Sequence, residues 1–189
     1  MSTTSPTGYD GMFVPPGEDP RRVGNPHGEL ATYREYLDFY RLTLRLKCDG
    51  LSPEQLATRS VPPSTLSLLG LVRHMAYVEH TWFRRFLQSR WDLPKLYSSP
   101  DDPDHEFNAA VGTAECVEDA LDRWQAEIAA ADAWLATQRD DTLAVELPFE
   151  DPAETASVRD VLVHLIEEYA RHCGHADLLR ECLDGRVGQ

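Results

Sequence analysis

Glu168 and His172 stand four residues apart in the segment "HLIEEYARHCGHADLLRE", residues 164–181, where apolar residues recur every three or four positions. This spacing predicts a helix on which both side chains point to the same inward face. A carboxylate buried without a partner would be costly, so Glu168 requires a cation, a hydrogen-bond donor or a water-filled cavity beside it. The adjacent Glu167 falls on another face and is expected to be solvated.

A third polar residue, His74, borders the apolar stripe of another predicted helix. Two imidazoles and one carboxylate form a ligand set that suits a divalent ion, with Zn²⁺ as first choice and Ni²⁺ or Fe²⁺ as alternatives. Three protein ligands leave a coordination position for water or substrate, as catalytic sites do. A second interpretation remains open from spacing alone, in which Glu168 and His172 form a buried pair without metal.

Two further histidines lie close to this stripe and are candidate catalytic residues. His164 precedes Glu168 by four residues, and His175 follows His172 by three. An imidazole near its ordinary pKa could orient a ligand or shuttle a proton. A pocket wall or a surface position would explain either residue equally well.

Two other residues are predicted to lie outside the ligand set. His80 groups with Arg73, Tyr77 and Arg84 on the side of its helix that is predicted to face solvent. Cys173 follows a candidate ligand directly, but consecutive helical residues point about 100° apart, so its sulfur is not expected to bind the same ion.

The elements that would carry these residues are four long amphipathic helices. Apolar spacing places them at about 29–48, 65–88, 114–138 and 157–184, with Ser157 as N-cap and Gly185 as stop signal of the last one. A short capped turn follows Ser52, and "LAVEL" could form a brief extended piece. The sequence therefore predicts an all-α fold, a four-helix bundle with its site between facing helices.

The first 27 residues contain five prolines and no apolar periodicity, so they are predicted to form an irregular proline-rich arm on the surface, outside a domain of residues 28–189. Thirty-two acidic residues against eighteen basic ones give a net charge of -14, which argues against nucleic-acid and membrane partners. A cytoplasmic protein with four reduced cysteines is expected, and either a monomer or a homodimer fits.

The chain resembles the DinB-like (YfiT-like) superfamily of metal-dependent four-helix bundles, and within it an actinobacterial subfamily. The resemblance covers about residues 30–187 and includes "LDGLSPEQLATRSVPPSTLSLLGLVRHMAYVEHTWF", "DPDHEF" and "VLVHLIEEYARHCGHADLLRECLDG". It implies one ligand from the second long helix and two from the last, at positions that match His74, Glu168 and His172. Glutamate at the middle position, where many members have histidine, is shared with the distantly similar mycothiol-dependent maleylpyruvate isomerases.

What the resemblance implies is a metal-dependent enzyme that uses a low-molecular-weight thiol such as mycothiol. Such an enzyme would be an S-transferase or isomerase acting on a small electrophilic substrate, because a divalent cation makes a bound thiol nucleophilic at neutral pH. Two alternatives remain: a metal-binding or small-ligand-binding sensor without turnover, and a hydrolase or lyase in which metal-bound water attacks.

Overall fold

The computed structural model describes residues 13–15, 17–21 and 24–188. Its helices are α1 (Glu29–Cys48), α2 (Pro53–Ala57), α3 (Leu68–Glu79), α4 (His105–Asn108), α5 (Ala114–Leu135) and α6 (Val158–Asp184). A π-helical segment, His80–Phe86, continues α3 without a break, and a 3₁₀ turn lies at Asp140–Thr142. The four long helices pack as a bundle in which α1 lies along α6 and α3 lies along α5. The predicted all-α bundle is confirmed.

The bounds of α1 and α6 agree with the sequence pattern, and the ends of α6 carry strong local signals. Ser157 and Asp160 form a reciprocal capping box at the start of α6, and Gly185 ends the helix with a left-handed backbone, φ 77°. The start of α1 is different, because its cap comes from far along the chain. Asp140 accepts hydrogen bonds from the backbone N–H groups of Glu29 and Leu30 at 3.1 and 2.9 Å.

Extended structure in the described residues is limited to one small hairpin between α5 and α6. Strands β1 (Glu146–Pro148) and β2 (Thr155–Ser157) pair antiparallel, with Leu147 opposite Ala156. The prediction of a brief extended piece at "LAVEL" is thus confirmed in part, since β1 begins at the end of that stretch. Two three-residue strands are too short to be an independent layer, so the hairpin serves as a connection.

The second long helix departs from the prediction in its geometry. It begins after Ser67, whose hydroxyl accepts a hydrogen bond from the N–H of Gly70 at 3.1 Å, and changes from α to π at His80. Because a π turn holds more residues than an α turn, faces assigned by α-helical spacing no longer apply beyond Glu79. Phe83 and Phe86 consequently lie fully inside the core.

The prediction that His80 and Arg73 face solvent is wrong, since both side chains are buried. His80 Nε2 lies 3.0 Å from the carbonyl oxygen of Pro94, and its Nδ1 lies 3.3 Å from the carboxylate of Glu127. Arg73 lies with its guanidinium 3.9 Å from the centre of the Tyr97 ring. The polar connection after the π segment covers this side of the helix, which helical spacing alone does not reveal.

A polar network that the sequence analysis did not foresee crosses the core of the bundle. Glu79 is fully buried and accepts hydrogen bonds from Arg41 on α1 at 2.8 and 2.9 Å and from the Tyr169 hydroxyl on α6 at 2.7 Å. Trp124 on α5 donates its indole N–H to the same hydroxyl at 2.8 Å. One ion pair and two hydrogen bonds therefore join all four long helices.

The described part of the arm packs against the bundle. Phe13 is buried, with the Lys47 ammonium 3.9 Å from its ring centre, and Arg21 donates a hydrogen bond to Thr43 at 3.1 Å. Residues 1–12 lie outside the described residues, and the domain boundary at residue 27 stays a prediction. In the described residues, no helix combines the length and apolarity that crossing a membrane requires.

Candidate functional site

The face of α6 that carries Glu168 and His172 lies against His74 of α3. The Glu168 carboxylate is 3.6 Å from His74 Nε2 and 3.3 Å from His172 Nε2, and the two imidazole centres are 4.7 Å apart. One ligand atom from each of the three residues lies within 4.8 Å of the others. Two helices thus bring together the three residues that spacing predicted as ligands, and this group could hold a metal ion.

The protonation of the group suits a metal ligand set. Burial, reinforced by the neighbouring His74, lowers the pKa of His172 to about 4, so this imidazole is neutral at pH 7. His74 Nε2 is buried and has no hydrogen-bond partner within the described residues. A buried polar nitrogen without a partner is costly, and a cation between the three side chains would satisfy it. The residues present therefore fit a divalent ion, for which two imidazole nitrogens and a carboxylate oxygen are suitable ligands.

The two predicted catalytic histidines lie at the edges of this group. His175 Nδ1 is 3.2 Å from His172 Nδ1, so it contacts the nitrogen that points away from Glu168. His164 is partly exposed, and its Nε2 is 3.7 Å from the second oxygen of Glu168. The Trp82 ring packs against His164 with ring centres 4.8 Å apart. Both histidines neighbour the candidate ligands, and their catalytic roles remain predictions.

The sequence did not predict the residues that contact His74 at its Nδ1 edge and on its ring face. Glu106 of α4 lies 3.4 Å from His74 Nδ1, and the Phe107 ring stacks on the imidazole with centres 5.1 Å apart. Both belong to "DPDHEF", a stretch whose composition predicts only a polar connection. No local pattern shows that such a short segment returns to α3.

A polar cavity of about 170 Å³ borders the site on the Glu106 side. Its wall includes Tyr77 of α3, Glu106 of α4 and residues of the connection before α4: Lys95, Leu96, Ser98, Ser99, Asp102 and Pro103. Because Glu106 also contacts His74, the cavity and the candidate ligands share a side chain.

The cysteines stand apart from the group, and all four are unpaired in the described part of the chain. The Cys173 sulfur points to the carbonyl oxygen of Tyr40 at 3.5 Å and is not among the atoms that converge at the site. Burial raises the pKa of Cys173 and of Cys48 to about 12. Both are therefore thiols at neutral pH, and that Cys173 is not a ligand stays a prediction.

Comparison with known families agrees with this geometry. A family model described as mycothiol-S-transferase matches residues 32–185, which include all three candidate ligands. The chain belongs to the mycothiol-S-transferase family. This membership places it in the DinB-like superfamily to which its sequence motifs pointed. A comparison with curated proteins gave no significant match.

A solved structure supports the fold of this mycothiol-S-transferase family member. It is the crystal structure of a conserved protein from Enterococcus faecalis, with a TM-score of 0.60 and 17% sequence identity. The similarity covers 84% of this chain and 99% of the other. At this identity the likeness concerns the fold alone.

Proposed function

We propose that this protein transfers a low-molecular-weight thiol, mycothiol, onto a small electrophile with the help of a divalent metal held by His74, Glu168 and His172. The observation that carries the proposal is the convergence of three ligand atoms, one from each residue, beside the buried His74 Nε2, which lacks a hydrogen-bond partner in the described residues. The chain that holds them belongs to the mycothiol-S-transferase family. Zn²⁺ is the metal that this donor set favours, with Ni²⁺ or Fe²⁺ as alternatives.

The proposed reaction forms a bond between the thiol sulfur and the electrophile. In a substitution, the thiol loses a proton, the leaving group departs with its electron pair, and the products are a thioether and the protonated leaving group. The metal, when bound, would lower the pKa of the thiol and so raise the fraction of thiolate. An isomerase would instead add the thiol to a carbon–carbon double bond, which becomes a single bond and can rotate, and elimination of the thiol would then re-form the double bond in the isomer.

The chain's own residues would share the remaining tasks. His175, which contacts His172 Nδ1, would keep that ring oriented with Nε2 toward Glu168. His164 is the more exposed histidine and lies beside Glu168, so we assign it the acceptance of the thiol proton. Trp82, packed on His164, would form part of the wall against which the substrate lies.

The experiment that tests this proposal has two stages. Protein purified without a metal-affinity tag is first analysed for bound metal, and the metal-loaded and metal-free forms are then assayed with mycothiol and a panel of electrophiles. We expect about one divalent ion per chain and conjugation that depends on that ion. A hydrolytic product formed without thiol would favour the hydrolase alternative, whereas metal binding without turnover of any electrophile would favour the sensor.

A further inference from the structure

We propose that Glu106 is a positioning residue for the metal, which fixes the tautomer and ring orientation of His74 so that Nε2 is the ligand atom. The inference rests on the metal site of the proposed function and extends it to a residue outside the ligand set. Glu106 Oε1 lies 3.4 Å from His74 Nδ1, on the opposite edge of the ring from Glu168. The two side chains are only 15% and 16% exposed, so solvent competes weakly for this contact.

The pairing decides which nitrogen is free. An imidazole that donates its Nδ1 hydrogen to a carboxylate keeps its lone pair on Nε2. In His74 that nitrogen is buried, lacks a hydrogen-bond partner in the described residues and faces Glu168 and His172. Glu106 thus keeps the lone pair of His74 Nε2 available for the metal before the ion binds.

Glu106 is itself held in place by contacts on both sides. Arg73, the residue before His74, donates a hydrogen bond from Nε to the backbone oxygen of Glu106 at 2.8 Å. Phe107 stacks on the His74 ring at an angle of 25°. Gly70 leaves room for the Phe107 ring, from which a Cβ at that position would lie 3.1 Å away. The carboxylate is therefore anchored through its backbone and through the neighbouring ring.

This arrangement predicts a specific energetic role. A carboxylate that accepts from the outer nitrogen of a metal-bound histidine orients the ring and raises its basicity, and loss of such a partner typically weakens metal binding about 10–100-fold. If Glu106 only formed an ion pair with His74, its removal would change the stability of the metal-free protein and leave metal affinity alone. Only the positioning role therefore predicts that loss of Glu106 lowers the affinity for the metal.

The test is a titration of metal-free Glu106→Gln with Zn²⁺ and with Co²⁺, whose absorption spectrum reports ligand geometry. Glutamine keeps the size of the side chain but removes its charge. Glu115→Gln, an exposed position in the first turn of α5, is the matched control. We expect Glu106→Gln to bind both ions about 10–100-fold more weakly than wild type. Its Co²⁺ spectrum should be altered, and its metal-free unfolding temperature should change by less than about 4 °C.

Three results would overturn the proposal. Equal affinity of wild type, Glu106→Gln and Glu106→Leu, the last of which also removes the acceptor oxygen, would show that Glu106 does not act on the metal, while the proposed function would stand. An equal loss of affinity in Glu115→Gln would show a general charge effect. No metal binding by wild type would remove both this inference and the metal-dependent function.

Discussion

Glu79 and Tyr169 meet in the centre of the bundle, where the tyrosine hydroxyl donates a 2.7 Å hydrogen bond to a carboxylate that is fully shielded from solvent. The Arg41 guanidinium compensates the charge of that carboxylate. Burial, together with the negative charge of Glu79, raises the pKa of Tyr169 well above its ordinary value and keeps the hydroxyl protonated as a donor. The network therefore depends on each partner keeping its charge state.

Glu79→Gln removes the negative charge and leaves the buried Arg41 guanidinium with only its solvent-exposed partners, Asp132 and Asp38. Breaking a buried ion pair on one side costs about 3–5 kcal/mol, so we expect the free energy of unfolding to fall by that amount. Chemical denaturation measures the change. Asp132→Asn, which alters a 44% exposed partner of the same arginine, is the control and should cost no more than about 1 kcal/mol. Similar losses in both variants would contradict this account.

Glu168→Gln should abolish most of the stabilisation that metal confers on the folded protein. At a metal concentration about a hundred times the dissociation constant, binding stabilises by about 2.7 kcal/mol, or roughly 5–10 °C in unfolding temperature. Thermal unfolding with and without Zn²⁺ measures this. Glu167→Gln, whose side chain is 63% exposed, should respond like wild type. Equal responses in all three proteins would favour the interpretation of a buried pair without metal.

His172 should make the metal-free protein less stable in mild acid. Its pKa is about 4 in the fold and about 6.5 when unfolded, so between these values the unfolded chain binds a proton that the folded chain does not. This contribution to stability is complete above about pH 6.5 and is lost as the pH falls to about 4. Denaturation of His172→Gln across this range should show a shallower decline than wild type, whereas the exposed His27→Gln should not.

His164→Gln should slow thiol transfer without releasing the metal. A positioned general base contributes typically about 10²–10⁴-fold to a rate, and we expect a loss in that range at neutral pH. Steady-state conjugation assays and metal analysis of the same preparation separate the two effects. A variant with normal turnover would show that the proton leaves by another route.

Cysteine reactivity should follow burial. Cys182 is exposed, whereas burial raises the pKa of Cys48 and of Cys173 to about 12, where almost no thiolate exists at pH 7. A thiol-specific alkylating reagent followed by peptide mass spectrometry should modify Cys182 first. Rapid labelling of Cys173 in the native protein would indicate that α6 opens near the site.

Local signals made the bundle and the convergence of the candidate ligands predictable. The ends of α6 are set by Ser157 and Gly185, and the site follows from polar residues that interrupt an apolar stripe, as Glu168 and His172 do. The burial of Glu79 was not predicted because its partners lie on other helices. The contact between Glu106 and His74 was not predicted for a related reason. The sequence around Glu106 has no periodicity, and the residue meets His74 only because the chain returns to α3.

The π segment affects how α3 and its continuation contact α6 at two places, through His74 and through Trp82. On a continuous α-helix, residues eight apart are separated by about 80° around the axis, so Trp82 would lie toward the edge of the face that carries His74. A π turn holds more residues and so rotates less per residue, which reduces this angle; Trp82 contacts His164 while His74 contacts His172, both on α6. Deleting Thr81 would therefore change the angle about the helix axis between Trp82 and His74 and move the aromatic wall relative to the candidate ligands, even though neither would be mutated.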